Sequence, residues 1–153
     1  MKKALFTILF IISIHHSFSQ SDEVKAVINT FFKGLHTADT TLINSTISKD
    51  ILMQTTFVNS KGENILRNST KNDFFRTLTR KKEEDIWFEK LLSLEIKIDG
   101  NIASVWTPYE FYLNDIFSHC GVNSFQLYYN NNNHWEIIYI IDTRRKKDCK
   151  SKL

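Results

Sequence analysis

The feature that most limits the fold of this chain is an alternation of apolar and polar residues that begins near residue 85. Over one stretch the side chains alternate one for one: Leu92, Ser93, Leu94, Glu95, Ile96, Lys97 and Ile98. A period of two places successive side chains on opposite faces of a β-strand. Asp99-Gly100 follows, and this dipeptide favours a two-residue hairpin turn. The pattern therefore predicts a half-buried strand that turns directly into an antiparallel neighbour.

Three more long strands are predicted after that turn. They cover residues 102–113, 116–129 and 134–143, and they are separated by Asn114-Asp115 and by the asparagine run 130–133. Consecutive strands joined by short turns form an antiparallel meander. The second half of the chain is therefore predicted to be a single long sheet.

The first half is predicted to be mostly helical. Ser21 is a candidate N-cap for a helix whose apolar residues recur at helical spacing. Asp39 favours the start of a short second helix, and Thr70 with Asp73 forms a capping box for a third. Residues 51–58 and a shorter segment after them are predicted strands. The fold class predicted is α+β, with N-terminal helices packed on a curved antiparallel sheet.

The first residues have the pattern of a secretory signal peptide. Two lysines precede an apolar run, and small residues, Ser17 and Ser19, precede the expected cleavage point. This divides the chain into a signal peptide (1–19), one domain (20–146) and a basic C-terminal tail (147–153). The mature protein is expected to be secreted or periplasmic, with no attachment to the membrane after cleavage.

The charge balance argues against a nucleic-acid partner. The chain has 20 Lys+Arg and 17 Asp+Glu, and two of the lysines, Lys2 and Lys3, leave with the signal peptide. A nearly neutral domain lacks the basic surface that phosphate contacts need. The basic residues that cluster after Asp142 are interpreted as a solvated chain end.

The two cysteines, Cys120 and Cys149, leave two states open. An exported chain meets an oxidising compartment, so a disulfide between them is one state and two free thiols are the other. No second cysteine or histidine lies at metal-ligand spacing, and the sequence has no phosphate loop or nucleophile elbow. Neither a metal nor a cofactor is therefore expected.

Strand register predicts which polar side chains share a face. Two-residue turns place Glu110 opposite His119 and Tyr109 opposite Cys120. A four-residue turn at 130–133 places Arg144 opposite His119 and Asp142 opposite Gly121. The face that includes Glu110 then carries Trp106, Glu110, Tyr112, His119, Asn123, Phe125, Ile138, Ile140, Asp142 and Arg144.

The direction of that face stays open. Following the apolar face of the first hairpin, Leu92, Leu94 and Ile96, leads to the Tyr109–Cys120 face instead. One β-bulge exchanges the two faces, and long bent sheets commonly carry bulges.

Two interpretations fit the polar residues. A histidine held by a carboxylate serves as an acid or base near neutral pH, so His119 with Asp142 is a candidate catalytic pair. The alternative is a structural row of cross-strand ion pairs, Glu110–His119–Arg144. The candidate ligand-binding residues, which combine aromatic rings with polar groups, are Trp106, Tyr109, Glu110, Tyr112, Asn123 and Arg144.

Three helices followed by a meander that ends in HWEIIYIIDTRR (134–145) resemble the nuclear transport factor 2-like superfamily. The branches most similar are the SnoaL-like and lumazine-binding-like groups. PYEFY (108–112) with FSHCGVNSFQL (117–127) resembles one exported bacterial subgroup. The resemblance covers most of residues 22–146.

This resemblance implies a cone-shaped, cystatin-like fold with a pocket at its open end. Members include enzymes, ligand binders and interaction modules. The function expected is binding of a small aromatic or amphipathic molecule. One alternative is a cofactor-independent isomerase, dehydratase or cyclase with His119 as base and Asp142 as its orienting partner. Another is a homodimeric interaction module that uses the exposed face of the sheet.

Overall fold

The computed structural model describes the backbone of residues 2–149 and the side chains of residues 20–149. Its elements are α1 (Lys2–Thr37), α2 (Thr40–Asn44), β1 (Ile47–Val58), β2 (Asn64–Ser69), α3 (Lys71–Thr79), β3 (Trp87–Leu91), β4 (Glu95–Asp99), β5 (Ile102–Leu113), β6 (Ile116–Tyr129) and β7 (Trp135–Arg144). The side chains of the predicted signal peptide and the end of the basic tail, 150–153, lie outside the described residues. Among the described residues, no helix has both the length and the apolar character needed to cross a membrane.

The helix starts illustrate how local side chains fix the chain. Asp39 caps α2 by accepting a hydrogen bond from the Leu42 N–H at 2.9 Å. Thr70 and Asp73 form both halves of the predicted capping box of α3. Helix α1, in contrast, continues upstream of Ser21, so that residue does not begin a helix.

Seven strands form one curved sheet in the order β2-β1-β7-β6-β5-β3, and β4 also pairs with β5. The predicted meander of β4 to β7 is present, and the α+β class is confirmed. The sheet is mixed. Strands β1 and β7 run parallel to each other, whereas the other pairs of neighbouring strands are antiparallel. The strand predicted to begin near residue 85 is broken into β3 and β4, and both pieces pair with β5.

Aromatic packing joins α1 to the inner face of the sheet. The rings of Phe31 and Phe32 meet the ring of Phe125 edge-on, at centroid distances of 5.7 and 5.9 Å. Val24 and Ile28, on the same helix, are fully buried. Each large apolar side chain buried in this way stabilises the fold by about 1.5–3 kcal/mol. The helical stripe predicted from the sequence is therefore the part of α1 that packs on the sheet.

A β-bulge at Ser118 shifts the register of β5 and β6. Next to the turn the pairing is as predicted, but beyond Ser118 each partner is one residue further along. The pairs there are Phe111 with His119, Glu110 with Cys120 and Tyr109 with Gly121. The predicted pairing of Glu110 with His119 is wrong for this reason. Tyr109 likewise does not pair with Cys120.

Strands β6 and β7 also differ from the predicted register. The connection contains five residues, 130–134, and a second shift follows between Gln126 and Leu127. Asp142 therefore pairs with Asn123 instead of Gly121. The predicted pairing of Arg144 with His119 is also wrong, because the bridge between Cys120 and Arg145 fixes the register there.

The two shifts decide which side chains face the helices. Tyr109 and Phe111 of β5 lie on the inner face of the sheet. They share it with residues of β6 and β7 that were predicted to lie on the other face, together with Glu110. These are His119, Asn123, Phe125, Ile140, Asp142 and Arg144. Trp106, Glu110 and Tyr112 lie on the outer face, so their predicted grouping with His119 is wrong.

A disulfide on the outer face joins Cys120 to Cys149. It connects β6 to the segment that follows β7, where the backbones of Cys120 and Arg145 exchange two hydrogen bonds of 2.8 and 2.9 Å. Of the two states left open by the sequence, the structure contains the disulfide. Export itself stays a prediction.

Gly121 lies where two strands and a side chain meet most closely. A Cβ atom at this position would lie 1.7 Å from the Thr143 carbonyl oxygen and 2.9 Å from a ring carbon of Tyr109. The Tyr109 ring passes over this glycine to reach β7, where its hydroxyl donates to the Thr143 carbonyl at 3.0 Å. The absence of a side chain is therefore what allows the contact.

We expect Gly121→Ala to destabilise the fold by about 3 kcal/mol or more, because the backbone of β7 has to move away from the added methyl group. Chemical denaturation measures the free energy of unfolding. Ser124→Ala, on the same strand, is the matched control and is expected to cost less than about 1 kcal/mol. A Gly121→Ala protein as stable as that control would contradict the close approach.

Candidate ligand-binding cavity

A cavity of about 360 Å³ lies between the inner face of the sheet and the helices α1 and α3. Its apolar lining consists of Phe31, Phe32, Leu35, Met53, Phe74, Trp87, Phe111, Leu113 and Ile140. Its polar lining consists of Gln54, Thr55, Ser69, Thr77, Glu89, His119, Asn123, Asp142 and Arg144. A mostly apolar cavity with a few converging polar groups is the usual form of a small-molecule site, and the volume is within the usual range.

The residues that line the cavity form layers along the strands, from its closed end to its open end. Phe125 and Ile140 lie at the closed end, and their neighbours toward the other end are Asn123 and Asp142, which face each other across β6 and β7. The strand ends that carry Trp87, Leu113 and Arg144 form the open end. The cavity therefore has an apolar floor, a polar middle and a mixed rim.

Glu89 is the most unusual group in the middle layer. Its Oε1 atom accepts a hydrogen bond of 2.7 Å from Asn123 Nδ2, and no described residue donates to Oε2. Burial raises the pKa of this carboxyl to about 7, with a smaller increase from Asp142 and opposing effects of Asn123 and Arg144. The group therefore changes its protonation state near neutral pH, as acid–base catalysis requires.

His36 holds the strand that carries Glu89. Its Nε2 atom accepts a hydrogen bond of 2.9 Å from the Glu89 backbone N–H, and its ring packs beside Phe88. Burial lowers the pKa of His36. The end of α1 is thereby joined to β3 by a histidine.

The Asp142 carboxylate pairs with Arg144 and lies beside the Tyr109 hydroxyl. Arg144 Nε donates to its Oδ2 atom at 2.8 Å, and the Tyr109 hydroxyl lies 3.2 Å from the same oxygen. Burial raises the pKa of Tyr109, and the charges of Asp142 and Glu89 raise it further, so its hydroxyl remains a donor. The predicted partner of His119 is therefore committed to Arg144 and Tyr109.

His119 is held as a neutral ring. It stacks on Phe111 at a centroid distance of 5.0 Å and meets the Tyr109 ring edge-on. Burial lowers its pKa to about 4, with a further decrease from Arg144 and Lys146 that exceeds the effect of Asp142. A ring with this pKa is a weak base at neutral pH. The structure brings His119 and Asp142 to one cavity but shows no hydrogen bond between them.

Asn123 and Arg144 line this cavity, whereas four of the predicted ligand-binding residues do not: Trp106, Tyr109, Glu110 and Tyr112. Trp106 is 46% exposed on the outer face of the sheet. Glu110 is buried on that face, where its Oε2 atom accepts from the Tyr112 hydroxyl at 2.9 Å and lies 3.9 Å from Lys90 Nζ. The row of ion pairs proposed as an alternative is thus absent, since Glu110 and His119 point to opposite faces. Homodimerisation through the outer face stays a prediction.

Glu89 was missed in the sequence, although a signal for it exists. Trp87 and Leu91 alternate with polar or exposed neighbours, and period two puts Glu89 on their apolar face. A carboxylate between two core-facing residues is uncommon unless it is paired or functional. The break between β3 and β4 concealed this pattern, because it reverses the parity that Leu92 and Leu94 suggest.

Within the part of the chain that the structure describes, no group of three or more His, Cys, Asp or Glu residues is arranged to hold a metal ion.

Comparison with known proteins identifies the fold. No family model and no curated protein matches the chain. A nuclear transport factor 2-like protein of unknown function from Shewanella baltica is 16% identical, covers 85% of this chain and 97% of its own, and has a TM-score of 0.60. A second one, with a cystatin-like fold, from Novosphingobium aromaticivorans, is 7% identical over 92% of this chain and 91% of its own, with a TM-score of 0.67.

A third solved structure, from Shewanella frigidimarina, is described as a candidate ketosteroid isomerase. It is 13% identical, covers 76% of this chain and 91% of its own, and has a TM-score of 0.56. Similarity at this level of identity establishes a common fold and leaves the activity open.

The cavity predicts a pH-dependent effect of Glu89→Gln. The carboxyl has a pKa of about 7 in the fold against 4.5 as its ordinary value, so its stabilising effect is complete below pH 4.5 and is lost as the pH rises through 7. Glutamine does not titrate. The difference in unfolding free energy between the variant and the wild type should therefore move in favour of the variant between pH 4.5 and 8, by about 3 kcal/mol at most.

Chemical denaturation at a series of pH values measures this difference. Both proteins retain His36 and His119, whose lowered pKa values act in the opposite direction, so the comparison isolates Glu89. Glu95→Gln controls for the removal of one negative charge from the surface. A difference that stays constant from pH 4.5 to 8 would contradict the raised pKa.

Proposed function

Starting from a nuclear transport factor 2-like, cystatin-like fold, we propose that this protein binds a small amphipathic molecule in the cavity described above. One observation carries the proposal: a cavity of about 360 Å³ whose floor and walls are aromatic and aliphatic and whose middle layer carries hydrogen-bonding groups. The rings of Phe74, Trp87 and Phe111 offer apolar contact to the body of such a molecule. Asn123 and Glu89 offer a polar contact to one edge of it.

The buried polar groups in the middle of the cavity favour ligand binding over a purely structural role. Asn123 is buried and spends one donor on Glu89, while Oε2 of Glu89 receives nothing from the described residues. Burying a carboxyl without satisfying it costs free energy that an apolar side chain would avoid. A ligand that donates or accepts at this layer would recover part of that cost.

We expect Thr77→Phe to prevent binding, because Thr77 lines the cavity from α3 and a phenyl ring there would occupy it. The matched control is Thr79→Phe, which adds the same ring to the same helix away from the cavity. Isothermal titration calorimetry with 2-naphthamide, a neutral aromatic probe, measures the affinity. Binding that survives Thr77→Phe, or no binding to the wild-type protein, would contradict the proposal.

A second candidate function is proton transfer on the bound molecule. It is favoured by Glu89, whose carboxyl has a pKa of about 7 and an oxygen open to the cavity. A carboxylate of this kind removes a proton from carbon next to a carbonyl group more effectively than an ordinary glutamate. His119, the base expected from the sequence, is assigned instead to shape the rim as a neutral ring.

This candidate predicts exchange of the enolisable protons of 2-tetralone for deuterium, followed by NMR in D₂O. The rate above buffer should rise through about pH 7, as Glu89 ionises. Glu89→Gln should reduce the rate about 100-fold or more, whereas His119→Gln should retain most of it. No exchange above buffer, or equal exchange with Glu89→Gln, would exclude the enzymatic candidate and leave the binding proposal in place.

A further inference from the structure

We infer that the ligand of this cavity is an organic anion, and that Arg144 at the rim binds its carboxylate. This inference rests on the proposed binding function and adds the chemical class of the ligand. The geometry points to it through the unused part of one guanidinium group, the neutralisation of the nearby carboxylate and the location of both at the open end.

Toward the described residues, Arg144 uses only one of its nitrogen atoms. Its Nε donates to Asp142 Oδ2 at 2.8 Å, and no described residue accepts from Nη1 or Nη2. A guanidinium presents parallel N–H groups that match the two oxygens of a carboxylate. The pair formed by Nη1 and Nη2 therefore remains available, while the bond to Asp142 fixes the orientation of the group.

The location of this free edge suits a ligand that enters the cavity. Arg144 lines the cavity, yet 54% of its side chain is exposed, whereas the side chain of Asp142 is only 9% exposed. An apolar body inside the cavity would leave its polar end at this rim. There it would exchange water for two charge-assisted hydrogen bonds.

The charges around the rim favour an anion. Asp142 is paired with Arg144, and the Tyr109 hydroxyl lies 3.2 Å from its Oδ2 atom, so it presents little free negative charge to a ligand. Burial favours the neutral form of Glu89 below about pH 7. Lys146 lies close enough to lower the pKa of His119, which adds a second positive charge near the rim.

The test compares two probes of the same shape, 2-naphthoate and 2-naphthamide, by calorimetry at pH 6.5 and low salt. The acid is ionised at this pH and the amide is neutral. We expect the wild-type protein to bind the acid at least about tenfold more tightly, and added salt to reduce this preference. Arg144→Gln should weaken binding of the acid to the level of the amide and change the affinity for the amide less than about twofold.

Two further variants separate recognition from folding. Arg145→Gln is the matched control, because the adjacent Arg145 donates to Thr143 and to the backbone of Asp148, and it should keep the full preference. If Arg144→Gln fails to fold, Arg144→Lys takes its place in the test. This variant keeps the charge but loses the paired N–H groups, so its preference for the acid should be reduced.

The outcomes distinguish the inference from the proposed function. Equal affinity of the wild-type protein for both probes would overturn the anion site and leave ligand binding intact. Loss of both probes with a folded Arg144→Gln protein would overturn it as well, since Arg144 would then only shape the cavity. Absence of binding of either probe to the wild-type protein would overturn the proposed function, and the inference with it.

Discussion

One extra residue in β6 determines what the cavity contains. The bulge at Ser118 places the inward-facing side chains of β5 next to those of β6, and Gly121 then lets the Tyr109 ring cross to β7. The Tyr109 hydroxyl joins Asp142 and the backbone of Thr143 beyond it. Without the bulge, Cys120 would share the inner face with Tyr109, and His119 would not. The inner face of the sheet, and so the chemistry of the cavity, depends on this local shift.

Burial shifts the pKa values of Glu89 and His119 in opposite directions, and both shifts favour the neutral form. It raises the pKa of Glu89 to about 7 and lowers that of His119 to about 4, so both groups tend toward their neutral forms. The remaining charges, on Asp142 and Arg144, compensate each other directly. A ligand thus meets hydrogen-bonding groups in the middle of the cavity and an oriented cation at its rim.

The features that were predicted correctly from the sequence depend on residues that lie close together in the chain. Capping by Asp39 and Thr70 involves residues three positions away, and the alternation in β4 follows from its own side chains. The α+β class follows from these elements together. Residues His119, Asn123, Asp142 and Arg144 were also correctly placed on a common face, because the one-residue longer connection between β6 and β7 and the later one-residue shift cancel each other in parity.

The rest depends on features that leave little trace in a single sequence. A bulge exchanges the faces of a strand at small cost. Parity carried from the first hairpin correctly put Tyr109 on the inner face, but the bulge at Ser118 interrupts it in β6, so His119 instead of Cys120 shares that face. The parallel pairing of β1 with β7 joins segments far apart in the chain. The most direct measurement of the whole account is a ¹³C NMR titration of the Glu89 carboxyl, assigned by comparison with Glu89→Gln. A midpoint near pH 7 is predicted for a carboxyl held in an apolar cavity, and a midpoint near 4.5, its ordinary value, would contradict the account.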